Sequence, residues 1–120
     1  MTGYVVFAHG SSVETANEAV RKVARKAADR GGWQVYETAF LGGGEPDLRR
    51  AVDALAACGA SRIIVIPYFL TPGTHLERDL PALVAQSRLA HPELKIDVTA
   101  PLDGHPGMVE AVLDRAKEFV

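Results

Sequence analysis

"RIIVIP", residues 62–67, runs four β-branched residues together between an arginine and a proline. A short, apolar, β-branched run of this kind fits a strand buried on both faces, as in a parallel sheet. The neighbouring stretches alternate with it. Before it, Pro46 is placed as the first residue of a helix; Leu48, Val52 and Leu55 form the buried stripe, and Gly59 stops it. After it, "YFLTPGTH" (68–75) reads as a loop, and a helix is expected over 76–90. Pro81 lies inside that span and predicts either a kink or a helix that begins at Pro81. "KIDVTA" (95–100) is a further strand and "PLDGHPG" (101–107) a loop. A last helix over 108–120 carries Val109, Val112, Leu113 and Ala116 on one face.

The N-terminal half repeats the pattern. "WQVYETAFL" (33–41) is rich in aromatic and β-branched residues and reads as a strand, broken by "GGGEP" (42–46). "GYVVFA" (3–8) is another short apolar run. Ser11 and Glu14 have the spacing of a capping box, which predicts a helix start. Ala16, Val20, Val23 and Ala27 give that helix an apolar face. Arg21, Lys22, Arg25, Lys26 and Asp29 read as its solvated side, and Gly31 and Gly32 end it. The order is therefore β-α-β-α-β-α-β-α. It predicts an α/β fold: a small doubly wound four-stranded parallel sheet, flanked by helices and joined by right-handed crossovers. Residues 1–120 are expected to form one domain. A sheet this small has exposed edges, which predicts a dimer or a partner domain.

Composition narrows the function. With 48% hydrophobic and 23% charged residues the chain reads as globular. A formal net charge of -2 argues against a nucleic-acid binder working through bulk charge. No apolar run approaches the roughly 20 residues of a membrane span, and the N-terminal residues lack the pattern of a signal peptide. A single cysteine, Cys58, allows no internal disulfide and suits a reducing cytoplasm. Cys58 is expected to be a small buried hydrophobe at the end of its helix.

In open parallel sheets, ligands bind beyond the carboxyl ends of the strands. His9, His75 and His105 each follow a strand and belong to that edge. His91 follows a helix and belongs to the opposite edge, where it is expected to be structural. "HGSS" is not a nucleophile elbow. Ala8 stands where a phosphohistidine enzyme of the phosphoglycerate-mutase kind places an arginine. "HLERD" is not a zinc-hydrolase motif, and "LGGGEP" is not a P-loop.

Four stretches together resemble one family: "AHGSS" (8–12), "FLGGGEP" (40–46), "IPYFLTPGTHLERDLP" (66–81) and "PLDGHP" (101–106). They are similar to the short CbiX/SirB-type class II chelatases. The most specific part is P-x-F-L-x-x-G-x-H-x-x-x-D-x-P, from Pro67 to Pro81. The resemblance implies a lyase that inserts a divalent metal, Co2+ or Fe2+ with Ni2+ as a further candidate, into sirohydrochlorin. Siroheme or cobalamin synthesis would use the product. No organic cofactor is implied. His9 and His75 match the family's active-site histidines, which would bind the incoming metal and take protons from the macrocycle. Neutral imidazole is both a ligand for such ions and a base near neutral pH. Short members of the family pair as homodimers.

The substrate's carboxylates would then meet local donors: Gly10, Ser11 and Ser12 after the first strand, Thr71, Gly73 and Thr74 after the third, and His105 after the fourth. The amides of the helix N-termini after His9 and His105 would add to these. Arg49 or Arg78 could add charge. Leu41, Phe69 and Leu70 could floor the cleft, with Gly42, Gly43 and Glu45 in the same loop. Where the family usually has glutamate after the second strand, this chain has Gly42; where it often has arginine after "HGS", this chain has Ser12. A non-catalytic carrier of a tetrapyrrole or a metal is the other class these residues suit.

Overall fold

The computed structural model describes residues 1–120, the side chains of His75 and Leu76 excepted. Four strands, β1 (Thr2–Ala8), β2 (Val35–Phe40), β3 (Arg62–Tyr68) and β4 (Lys95–Val98), form one parallel sheet in the order β2-β1-β3-β4. Helices α1 (Glu14–Gly31), α2 (Leu48–Ala57), α3 (Thr74–Ala90) and α4 (Pro106–Ala116) alternate with them, and a single 3-10 turn (Lys117–Phe119) follows. The doubly wound α/β reading is the fold observed.

The core lies on one face of the sheet. Val5, Phe7, Ala39, Ile63, Val65 and Ile96 pack there against Leu48, Val52 and Leu55 of α2 and Leu80 and Val84 of α3. Along β3 the burial alternates: Ile63, Val65 and Pro67 are buried, whereas Ile64, Ile66 and Tyr68 are half-buried. The two faces of the central strands are therefore not covered equally. The other face carries α1, which packs against β2.

Several local expectations change. The helix starts at Glu14 with Val13 as its cap residue, so Ser11 and Glu14 form no capping box. Ser11 Oγ instead accepts from the Val13 N–H at 3.0 Å, a short turn that competes with capping. The buried stripe of α1 is Asn17, Ala24 and Ala28, one residue along from the expected Ala16, Val20, Val23 and Ala27. A polar residue occupies the first buried position, and this hides the true stripe from a hydrophobicity pattern. Arg21 is not on the solvated side. It lies 5.2 Å above the Phe40 ring and reaches the carboxylates of Glu14 and Glu18.

Pro46 stands before α2 rather than opening it. Asp47 is the cap, and its side chain accepts from the Arg50 N–H at 3.0 Å. Cys58 is exposed, because it is the residue after the last turn of α2, where the chain leaves the core. The helix α3 is continuous through Pro81 and begins earlier than expected, so it does not start at that proline. Pro81 is the eighth residue of α3, past the four N-terminal N–H groups that lack intrahelical partners, so it has no N–H to give to the Glu77 carbonyl one turn earlier. The last helix begins at Pro106 and buries no residue.

Candidate functional site

The register aligns the carboxyl ends of the central strands: Ala8 pairs with Phe40 on one side and with Tyr68 on the other. The loops that leave this edge are bonded to each other through their backbones. Leu41 N–H donates to Ala8 O at 2.9 Å and Gly42 N–H to His9 O at 3.0 Å, which extends the β1–β2 pairing beyond the strands. Asp103 N–H donates to Phe69 O at 3.0 Å and ties the loop after β4 to the loop after β3. The main chain at His9 is therefore fixed.

Asn17 completes this arrangement, and the sequence reading missed it. It is 1% exposed. Its Oδ1 accepts from the Ser11 N–H at 2.9 Å, and its Nδ2 donates to Ser11 O at 2.9 Å and Gly43 O at 3.1 Å. One side chain thus clamps the loop after β1 to the glycine loop after β2. The available signal was an asparagine two turns before Ala24 on a helix, where burial demands partners.

Two glycines are required by the same contact. Gly10 has φ +87°, and a Cβ there would sit 1.7 Å from Gly42 O. Gly43 has φ +71°, and its Cβ would meet the Ser11 backbone at 2.7 Å. No L side chain fits either place without moving a backbone. A Cβ at Gly42 meets nothing within 4 Å.

His9 is exposed at this edge. Its Nδ1 lies 3.3 Å from Gly10 O, and its ring stands edge-on to Phe69 with centroids 6.5 Å apart. With Gly10, Ser11, Asn17, Val20, Tyr68 and Leu70 it lines a cavity of about 260 Å³. A larger cleft of about 580 Å³ is lined by Gly42, Gly43, Gly44, Glu45, Asp47, Glu14, Arg21 and Leu41. The hydrogen bonds from Arg21 and then Asn17 hold the Glu14 carboxyl below its ordinary range. The same pairing raises Arg21, so the cleft keeps a fixed cation at its floor.

The other expected residues are distributed as follows. Leu41 and Phe69 are partly buried and pack against the core, whereas Leu70 is exposed beside His9. Ser12, Thr71, Gly73 and Thr74 are exposed on the same edge. Glu45 pairs with Arg50 at 3.3 Å. Arg49 pairs with Asp53, and Arg78 with Asp79. His105 caps α4: its Nδ1 accepts from the Gly107 N–H at 2.8 Å, so that amide is taken. The His75 side chain, and with it the pairing of His75 with His9, lies outside the described residues. No group of three or more metal-ligating side chains forms among the described residues.

His91, at the far edge, is engaged in structure. Its Nε2 lies 2.6 Å from Asp53 Oδ1 and joins α2 to the end of α3. That hydrogen bond, with Arg49 beside it, holds the Asp53 carboxyl below its ordinary value.

The CbiX family model matches residues 3–119. The chain belongs to the CbiX family. It is 29% identical to the sirohydrochlorin cobaltochelatase of Methanopyrus kandleri, over 98% of this chain and 96% of that one. It is also 29% identical to the chloroplastic sirohydrochlorin ferrochelatase of Arabidopsis thaliana, over 94% of this chain but 50% of the relative. Among solved structures, the sirohydrochlorin chelatase SirB of Bacillus subtilis subspecies spizizenii, in complex with cobalt, superposes with a TM-score of 0.90 at 26% identity. It is matched over 98% of this chain and 50% of its own length. The chain thus spans about half the length of two of these relatives and nearly all of the third. No helix among the described residues is long and apolar enough to cross a membrane.

Proposed function

We infer that this CbiX-family chain inserts Co2+ or Fe2+ into sirohydrochlorin, as the relatives' names describe for them. The observation that carries the reading is an exposed histidine, His9, held on a fixed backbone at the carboxyl edge of the sheet. Metallation removes two N–H protons from the macrocycle and delivers a dication in their place. The His9 Nδ1 lies 3.3 Å from Gly10 O, and an imidazole is both a metal ligand and a base near neutral pH. His75, in the first turn of α3 on the same edge, is the proposed second ligand and base. An open imidazole site holds a metal loosely enough to release it, unlike a closed thiolate site. Ni2+ is a further candidate, since imidazole discriminates weakly among these ions.

Arg21 and the hydroxyls of Ser11, Ser12, Thr71 and Thr74 are the donors proposed for the substrate's carboxylates. A reducing cytoplasmic setting and a homodimer complete the reading. The exposed face of α4 supports the dimer. The test mixes purified protein with sirohydrochlorin and Co2+ or Fe2+ and follows the absorbance of the metallated product. His9→Ala is expected to lower the rate by about 100-fold, the usual scale for losing a proton-transfer group. Insertion by His9→Ala at the parent's rate would overturn the assignment. Gly42, at the position where the family usually has glutamate, favours a second reading, a non-catalytic carrier. Tight macrocycle binding with no rate above the spontaneous reaction would select it.

A further inference from the structure

On the α1 side of the sheet, β3 is open along Ile64, Ile66 and Tyr68, all half-buried. The last residue of this strip meets the site. Tyr68 pairs in register with Ala8, the residue before His9. Successive side chains of a strand point to opposite faces. Phe7 lies in the core on the α2 and α3 side, and its partner Pro67 is buried. Ala8 and Tyr68 therefore both turn to the α1 side, where Ala8 brings only a methyl group. The cavity of about 260 Å³ occupies the space this leaves, with His9 in its lining.

The cavity has carbon walls and few donors left to give. Ala8, Ala16, Val20 and Leu70 supply its apolar surface. Asn17 lines it too, but the clamp between the loops uses both ends of that amide. Ser11 Oγ accepts from the Val13 N–H and keeps its own proton to donate. The Tyr68 hydroxyl makes no hydrogen bond among the described residues, although a phenol usually finds a partner where its ring is partly buried. No lysine or arginine is among the described residues that line the cavity. Two hydroxyls on carbon walls suit a short acidic group, with methylenes against the walls and the carboxylate on the hydroxyls.

We propose that this cavity is the subsite for one carboxylate-bearing arm of the macrocycle, and that the Tyr68 hydroxyl donates to that carboxylate. The proposal rests on the reading of sirohydrochlorin as substrate and deepens it. Size decides how much of the ligand enters. Pockets that hold a whole small molecule run from about 300 to 1,000 Å³. A cavity of about 260 Å³ takes an arm and leaves the ring outside. The ring then lies across the rim, between the exposed His9 and Leu70, which is 52% exposed. A hydrogen bond to a carboxylate is roughly twice as strong as one between neutral groups, so one pinned arm can set the register of the whole ring. That register decides which ring nitrogens come to His9, and a bound geometry close to the reacting one is worth rate as well as affinity. Tyr68 is thus a specificity-determining residue, which selects a macrocycle by an acidic arm at a fixed distance from its centre.

The test is a titration of the metal-free protein with sirohydrochlorin, followed by absorbance, beside the initial rate of Co2+ insertion. Tyr68→Phe keeps the ring and removes the hydroxyl. It should raise Kd about tenfold, the scale of one hydrogen bond to a charged group, with the circular dichroism spectrum and Tm of the parent. Ala16→Leu adds bulk from an exposed position of α1 and should also raise Kd about tenfold, by filling the cavity. Sirohydrochlorin with its arms methyl-esterified is the control ligand, and parent and Tyr68→Phe should bind it within about twofold of each other. The same tenfold difference on the ester would show that Tyr68 does not read a carboxylate and would overturn the proposal. So would a parental Kd for Tyr68→Phe, which leaves the insertion reading standing. His9→Ala should bind the metal-free macrocycle like the parent and insert slowly. If it inserts at the parent's rate while Tyr68→Phe still weakens binding, the role of His9 falls and the arm subsite remains. A parent protein that does not bind sirohydrochlorin overturns both.

Discussion

Asn17→Ala removes a side chain that bridges two loops and exposes itself almost nowhere. The three hydrogen bonds to the loops, of 2.9, 2.9 and 3.1 Å, disappear together, with a longer one of 3.4 Å to Glu14. Each is worth about 1 kcal/mol net, and the part-buried Ser11 N–H is left without its acceptor at a cost of about 1 kcal/mol more. The expected loss is about 2–4 kcal/mol, a large share of the roughly 5–15 kcal/mol that holds such a domain. At roughly 3–5 °C per kcal/mol this lowers Tm by about 10 °C. Urea unfolding gives the same quantity independently, with an unchanged slope if only the folded state is affected. The insertion rate should fall further than stability accounts for at 25 °C, because the His9 loop is freed while the core is untouched. Asn17→Asp keeps the acceptor for Ser11 but turns an oxygen toward the Ser11 and Gly43 carbonyls. It should rescue nothing at pH 8. A loss below about 0.5 kcal/mol for Asn17→Ala would refute the clamp.

Gly10→Ala should fail to give a folded, active protein, since its Cβ would overlap the Gly42 carbonyl; a soluble variant with the parent's melting curve would contradict the contact. Gly42→Glu should fold like the parent, because that Cβ meets no neighbour, and should raise the maximal insertion rate while weakening substrate binding, read from initial rates. Burial raises the Glu37 carboxyl, so its folded form holds a proton more tightly and stability falls as pH rises through the window above the ordinary value. Glu37→Gln should remove that slope and add up to about 1 kcal/mol at pH 7 in thermal melts. Asp53 has the opposite sign: its lowered value adds stability that is present above the ordinary carboxyl range and lost as pH falls through the folded value. His91→Ala should therefore cost about 1 kcal/mol or less at neutral pH, given the half-exposed pair, and converge with the parent in acid.

The strands were legible because "RIIVIP" and "GYVVFA" are short unbroken apolar runs, although only one face of β3 is fully buried. Their topology then sorted His9 and His105 from His91 with no further information, since each follows either a strand or a helix. The helix details were less legible. Asn17 occupies a buried position with a polar group, so the apolar pattern placed the stripe of α1 one residue away. That displaced reading was not empty. Ala16, Val20, Val23 and Ala27 do form an apolar face, but one turned to the open half of the sheet. Likewise Val109, Val112 and Leu113 do share a face of α4, while nothing in their spacing says that the helix buries no residue. Cys58 failed for a plainer reason: it stands one residue past the helix end, where burial changes abruptly.

The difference among Gly10, Gly42 and Gly43 bears on how the site handles charge. Gly10 and Gly43 are imposed by backbone approach; Gly42 is not, and a side chain there would project into open space. The cleft it borders is lined by Glu14, Glu45 and Asp47 together with Arg21, and Arg50 pairs with Glu45 beside it. A further carboxylate would help carry protons or a dication, and would repel a substrate rich in carboxylates. On the proposed reading, glycine shifts the balance toward admitting the anion and leaves proton removal to the histidines. If the substrate is the proposed polyanion, a chain with net charge -2 gains by that exchange, because its long-range field offers no assistance. The backbone clamp then matters more: with fewer groups sharing the chemistry, the position of His9 is set by Asn17 and by the two N–H···O bonds that join the loops.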